Sequence, residues 1–221
     1  MCGVIGISLT SVTPSDLELV KRVFIESMIR GKHATGVSFV KNRGIVTIKN
    51  GVSVTEFLKT LDLNDCINED GGLYMIGHIR YSTSDIRYNQ PFSNGNISIV
   101  HNGVISQEDP AEWPYKCETS NDSEMILKCI EDGDHPLQTF HDKSLAVCKI
   151  NSGKVLNCYR NHERPLWYTE LDNGVIFTST KNIAVRAGLS NPVKCEMFVS
   201  YNYDGMWFND TMNSNGVEDL Q

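Results

Sequence analysis

MCGVIGISLT (residues 1–10) opens the chain with a thiol and an apolar run. Residues 2–7, Cys-Gly-Val-Ile-Gly-Ile, predict a buried sheet strand at the very start of the protein. Chain ends fray unless something ties them down, so a cysteine at position 2 is an odd choice for packing alone. Free cysteine does behave as a small, commonly buried hydrophobe, and on these ten residues a core role is the better reading. The second reading is chemical. A small residue at position 2 suits removal of Met1, which would leave Cys2 with a thiol and a free α-amine on adjacent atoms, a nucleophile with its own base.

The rest of the chain has to decide between them. With 221 residues, 40% hydrophobic and 21% charged, it can bury one substantial core or at most two small ones. A formal charge of −7 gives no general attraction to nucleic acid or to an anionic membrane. No apolar run approaches the roughly 20 residues that span a bilayer, and the first residues lack a secretory pattern; the expected location is the cytoplasm. The seven cysteines (Cys2, Cys66, Cys117, Cys129, Cys148, Cys158, Cys195) are scattered without a C-x-x-C pair, which argues against a disulfide framework and a zinc site. The six histidines show no ligand spacing. Neither metal nor cofactor is expected.

Outward from the first strand, residues 13–31 predict an amphipathic helix. Thr13 caps it, Pro14 and Asp16 suit its first turn, Leu17, Val20, Phe24 and Met28 share a face, and Gly31 stops it. VSFVKNRGIVTIK (37–49) reads as a hairpin turning at Lys41–Gly44. Ser53 and Glu56 form a capping-box pattern for a second helix over 53–61. LYMIGHIRYST (73–83) and NISIVHNGVI (96–105) read as buried strands, and NDSEMILKCIEDG (121–133) as a helix capped by Asn121 or Ser120. Strands follow in 144–150, 154–160, 165–170 and 175–179, then a helix over 179–189 closed by Gly188, and a last hairpin turning at Asp204-Gly205. The simplest architecture is one domain, residues 2–208, of mostly antiparallel hairpins with helices on the sheets, followed by a polar tail, 209–221.

Three polar clusters interrupt this pattern. GHIRYST (77–83) sets Arg80 in an apolar strand, where an internal ion pair is one reading and a carboxylate clamp the other. HNGVI (101–105) offers either a tight turn or two donors, the Asn102 amide and the Gly103 N–H, aimed at a developing oxyanion. TSNDSE (119–124) puts Asp122 where it can complement a helix dipole or hold an ammonium group.

In this order, and behind an N-terminal Cys-Gly, the set MCGVIGI, RGKHATG (30–36), GHIRYST, QPF (90–92), HNGVI, TSNDSE and RNHERPLW (160–167) resembles the glutaminase domain of class II, Ntn-type glutamine amidotransferases, in the style of amidophosphoribosyltransferase. The resemblance runs from Cys2 to about Leu189. It implies an α+β fold, a four-layer αββα sandwich with mainly antiparallel sheets. It also implies that Cys2 attacks the side-chain amide of L-glutamine to give a thioester and ammonia, with Asn102 and Gly103 as the oxyanion hole. Arg80 and Thr83 then bind the substrate carboxylate, Asp122 its ammonium, and Arg30 and Gly31 line the site. Asn121, His33 and His162-Glu163 depart from the family pattern. No synthase module is legible after Leu189, so either a separate synthase or synthetase subunit accepts the ammonia, the leading expectation, or the protein hydrolyses its amide on its own. The alternatives are action on another γ-glutamyl amide, or a non-catalytic module that binds glutamine.

Overall fold

Along β1 (Gly3–Leu9) successive side chains point to opposite faces, and both faces are buried. Ile5, Ile7 and Leu9 join one apolar cluster and Val4 another. In the computed structural model, which describes residues 2–81 and 89–208, β1 is the central strand of a seven-stranded sheet. On one side of it lie β10 (Gly174–Thr178), β9 (Trp167–Leu171) and β11 (Val193–Lys194). On the other lie β4 (Leu73–Arg80), β2 (Ala34–Lys41) and β3 (Gly44–Asn50). A second sheet runs in the order β13 (Trp207–Phe208), β12 (Ser200–Tyr203), β8 (Leu156–Arg160), β7 (Ala146–Asn151), β6 (Ile97–His101), β5 (Phe92–Ser93). Every strand pairing described is antiparallel.

Three apolar layers separate four structural ones. The outer face of the first sheet is covered by α1 (Pro14–Glu26), α2 (Val54–Thr60) and α5 (Lys181–Ala187), which pack Val20, Phe24, Phe57 and Ala184 on Ile5, Met75 and Ile176. Between the sheets lie Val4, Ile76, Val100, Leu156 and Phe177 together with the thiols of Cys148, Cys158 and Cys195. The far face of the second sheet packs Val147 and Tyr159 against Met125 of α3 (Glu124–Glu131) and Leu137 of α4 (Pro136–Thr139). The fold is therefore the α+β, four-layer αββα sandwich that the motifs imply. Gly6 permits the sheets to approach, since a Cβ there would press on the Cys148 and Cys158 sulfurs at 3.2–3.3 Å.

Local signals account for most element ends, with instructive differences. Thr13 and Asp16 form a complete capping box, but α1 stops at Glu26 and Ser27–Arg30 tighten into a 3₁₀ turn. At α2 only half of the expected box forms: Ser53 accepts from the Glu56 N–H, while the Glu56 carboxylate pairs with Lys59. Neither Ser120 nor Asn121 caps α3. The N-cap is Ser123, without a side-chain cap bond, and Asn121 Oδ1 accepts from the Ser123 N–H at 3.1 Å. Gly188 closes α5 at φ 97°, a left-handed conformation that favours glycine. The short elements β5, β11 and α4 add to the expected set, while Thr83 and the tail 209–221 lie outside the described residues.

Candidate active site

Cys2 stands at the head of β1, one residue before the register pair Gly3 and Ile79, which brings it to the end of β4 that carries Arg80. Two side chains hold this strand end in place. Ser179 Oγ accepts from the Val4 N–H at 2.8 Å and donates to the Val4 carbonyl at 3.3 Å, and Arg30 Nε donates to the Cys2 carbonyl at 3.2 Å. Burial lowers the Arg30 pKa, the Cys2 sulfur opposes that shift, and Arg164 adds to it. Gly31 allows a close crossing: a Cβ there would overlap the Arg80 carbonyl group and the Tyr81 nitrogen. Its neighbour His33 donates its N–H to the Arg80 carbonyl at 3.1 Å. Arg30 and Gly31 thus act on the backbones of Cys2 and Arg80 and lie behind the cavity wall.

The HNGVI segment leaves β6 and pairs with residues 144–146, so Asn102-Gly103 is not a hairpin turn. Asn102 and Ala146 exchange N–H···O bonds at 2.9 and 3.0 Å, and Val104 donates to Ser144. A Cβ on Gly103 would overlap the Ser144 carbonyl and the His101 ring; only glycine fits there. Asn102 is 2% exposed, and its Nδ2 meets no partner among the described residues. A buried amide donor left open is unusual, because an unmet buried donor costs about 1–3 kcal/mol.

Asp122 faces the same space from the loop before α3. Its Oδ2 accepts from the Ile105 and Ser106 N–H groups at 2.6 and 3.1 Å, which fastens the loop after Gly103 to the loop before α3. Glu124 braces this second loop from behind. Its carboxylate reaches back to the Glu118 and Thr119 N–H groups, both at 2.8 Å, and to the Thr119 hydroxyl at 2.6 Å.

Cys2, Arg80, Asn102, Gly103 and Asp122, drawn from four separate stretches of sequence, line one cavity of about 530 Å³. Charges of both signs face it, Arg80 and Arg164 against Asp122 and Glu108. The wall also contains residues to which the sequence assigned no role: His78, Gln90, His101, Ser123 and Arg164. Gln90 and Arg164 did carry a signal, since QPF and HERPL contributed to the motif match. Burial, then the Arg80 charge, pushes His78 down to about 3. Burial likewise lowers His101, against the pull of Asp122. Both imidazoles are neutral at pH 7. Among the described residues no group of three His, Cys, Asp or Glu side chains is placed to hold a metal ion.

The chain is 28% identical over 190 residues to the glutamine–fructose-6-phosphate aminotransferase (isomerizing) of Sulfurisphaera tokodaii, a match that covers 80% of this chain and 31% of that protein. It superposes on the glutamine phosphoribosylpyrophosphate amidotransferase of B. subtilis with a TM-score of 0.71 at 17% identity, over 91% of this chain and 47% of that one. In sequence and in fold the chain is similar to class II, Ntn-type glutamine amidotransferase domains. A glutamine aminotransferase class-II domain protein from Silicibacter pomeroyi shares the fold of this chain with a TM-score of 0.52 at 10% identity, over 93% of this chain and 100% of that one. No protein-family model matches the domain. It spans about a third of the length of the curated relative from S. tokodaii.

Proposed function

We propose that this chain is a glutamine amidotransferase domain that hydrolyses the side-chain amide of L-glutamine and delivers ammonia to a separate synthase or synthetase subunit in the cytoplasm. The observation that carries the reading is the convergence of Cys2, Arg80, Asn102, Gly103 and Asp122 on one cavity. With Met1 removed, the Cys2 thiol adds to the glutamine Cδ and its proton passes to the α-amine. An unperturbed α-amine has a pKa of about 7.7–8.0, so about 10–20% of it is free base at pH 7 and available to take the proton. The amide oxygen becomes an oxyanion held by Asn102 Nδ2 and the Gly103 N–H. Collapse expels ammonia, which takes the proton, and leaves a γ-glutamyl thioester. Water then attacks the thioester, releasing glutamate and restoring the thiol. Arg80, with Thr83, takes the substrate carboxylate and Asp122 its ammonium, so opposite charges at the two ends of a zwitterion aim the neutral amide at sulfur. Arg30 and Gly31 serve the site by fixing the backbones of Cys2 and Arg80. The catalytic unit lies within residues 2–208.

The test is ammonia release from glutamine by protein whose N-terminus has been read by mass spectrometry. Chain beginning at Cys2 is expected to turn over and to be labelled at Cys2 by a glutamine-mimicking electrophile, whereas chain retaining Met1 and a Cys2→Ala variant are expected to be inert. Unchanged ammonia release by Cys2→Ala would sink the proposal. A panel of γ-glutamyl amides run alongside separates glutamine from larger amides.

A further inference from the structure

Three residues of the matched motifs to which the sequence assigned no role meet beside Asn102 and Gly103: Gln90 of QPF, His101 of HNGVI and Ser123 of TSNDSE. All three side chains are at most 4% exposed. His101 Nε2 lies 3.0 Å from the Ser144 carbonyl. A carbonyl oxygen only accepts, so Nε2 carries the proton and Nδ1 is bare. Nδ1 lies 2.9 Å from Ser123 Oγ, and the serine hydroxyl is therefore its donor. The Ser123 oxygen accepts in turn from Gln90 Nε2 at 3.0 Å. Gln90 also pairs with the backbone of His101 in both directions, Oε1 accepting from its N–H at 2.6 Å and Nε2 donating to its carbonyl at 3.1 Å. Lys49, reaching over from the first sheet, fixes Gln90 by donating to the Asn89 and Pro91 carbonyls at 2.8 and 3.1 Å.

We infer that His101, oriented by Ser123 and Gln90, is a positioning residue that sets the oxyanion hole by holding the Ser144 carbonyl against which Asn102-Gly103-Val104 is paired. The chain of bonds has one sense. Gln90 donates to Ser123, Ser123 to His101, and His101 to Ser144, which pairs with Val104 by backbone bonds while Ala146, two residues on, pairs with Asn102. Ser123 adjoins Asp122, so one imidazole ties the proposed ammonium anchor to the proposed oxyanion donors. Removing the ring or its serine partner leaves the two charged anchors for the substrate ends in place, yet frees the donors to drift, and misplacement of about 1 Å can cost about 10²-fold in rate. The effect belongs to the tetrahedral state, where the oxyanion exists, and not to ground-state binding.

This inference rests on the glutaminase reading above, and its test separates the two. Ser123→Ala and His101→Gln are assayed with glutamine, and their affinities are measured for glutamate and for glutamate γ-semialdehyde, an aldehyde that adds the Cys2 thiol to form a tetrahedral thiohemiacetal. In each variant kcat is expected to fall about tenfold or more with KM within about twofold. Aldehyde affinity should fall in parallel with kcat while glutamate affinity holds. Ser123→Thr, which keeps the hydroxyl, should recover most of the loss. Nitrogen NMR of wild-type protein should report His101 as the neutral Nε2–H tautomer whether or not the enzyme turns over. Undiminished kcat in both variants, equal losses of glutamate and aldehyde affinity, or an Nδ1–H tautomer overturns the inference while leaving the glutaminase reading intact. A wild-type protein inert toward both glutamine and the aldehyde overturns that reading and the inference with it.

Discussion

Neutral imidazoles in a buried wall make the stability of the protein depend on pH, and His78 is the clearest case. Burial and the Arg80 charge push it down to about 3, whereas an unfolded histidine titrates near 6.5. Between those values the unfolded chain binds a proton that the native chain refuses, so stability is present in full above about pH 6.5 and falls as pH drops toward 3. The slope is about 1.4 kcal/mol per pH unit for one such group; His101, lowered in the same sense, adds to it. Urea midpoints measured from pH 7 to pH 4 should therefore decline, and His78→Gln should flatten the curve. An unaltered slope in that variant would assign the acid sensitivity elsewhere. Individual residues were unevenly legible in the sequence. Cys2, Asn102 and Asp122 each have an ordinary local reading, a core thiol, a tight turn and a helix-dipole partner, and became site candidates only together, through the resemblance that their joint occurrence carries. His101 did not, because its partners Ser123 and Ser144 lie 22 and 43 positions away, and no spacing rule reaches that far.

Among the elements, α3 and the loop before it separate capping from bracing. The Thr13 and Asp16 box at α1 is a local device, and Thr13→Ala should cost about 1 kcal/mol of stability without changing KM for glutamine. Glu124, 4% exposed and bonded to the backbone of residues 118 and 119, restrains the loop that carries Asp122. Glu124→Ala should cost more, about 1.5–3 kcal/mol, and should also raise KM. Denaturant titration and saturation kinetics on the two variants check both halves of the contrast. The sequence showed Glu124 only as an acid in a first helical turn, since nothing in a helical pattern says that a carboxylate will turn backwards. The strands β1, β4, β6, β7, β8 and β10 were visible as apolar β-branched runs bounded by turn signals. The strands β5 and β11, two residues each, have no period to read, and tertiary pairing alone makes them strands.

At the scale of the whole molecule the sequence supplied strands and helices but not their stacking; the order of the sheets became an expectation only through the match to a family. What the residues themselves carried was the alternation that the four layers require. Val4, Cys148 and Cys158 face the layer between the sheets, Ile5 faces one outer layer, and Val147 and Tyr159 face the other. That alternation sorts the sulfur atoms as well. Cys66, Cys129, Cys148, Cys158 and Cys195 are buried, and only Cys2 and Cys117 are partly open. Burial pushes the Cys117 thiol up to about 11 and the Cys195 thiol out of the physiological range, so neither forms much thiolate at neutral pH. A colorimetric thiol reagent should count at most two groups in native protein and all seven once it is unfolded, with Cys2 reacting ahead of Cys117. A native count above two would mean that the layers part in solution. The sandwich is thus a chemical sieve: by hiding five of the seven thiols and leaving Cys117 with a raised pKa, it lets a small electrophile used sparingly report on Cys2 ahead of any other thiol in an otherwise unmodified protein.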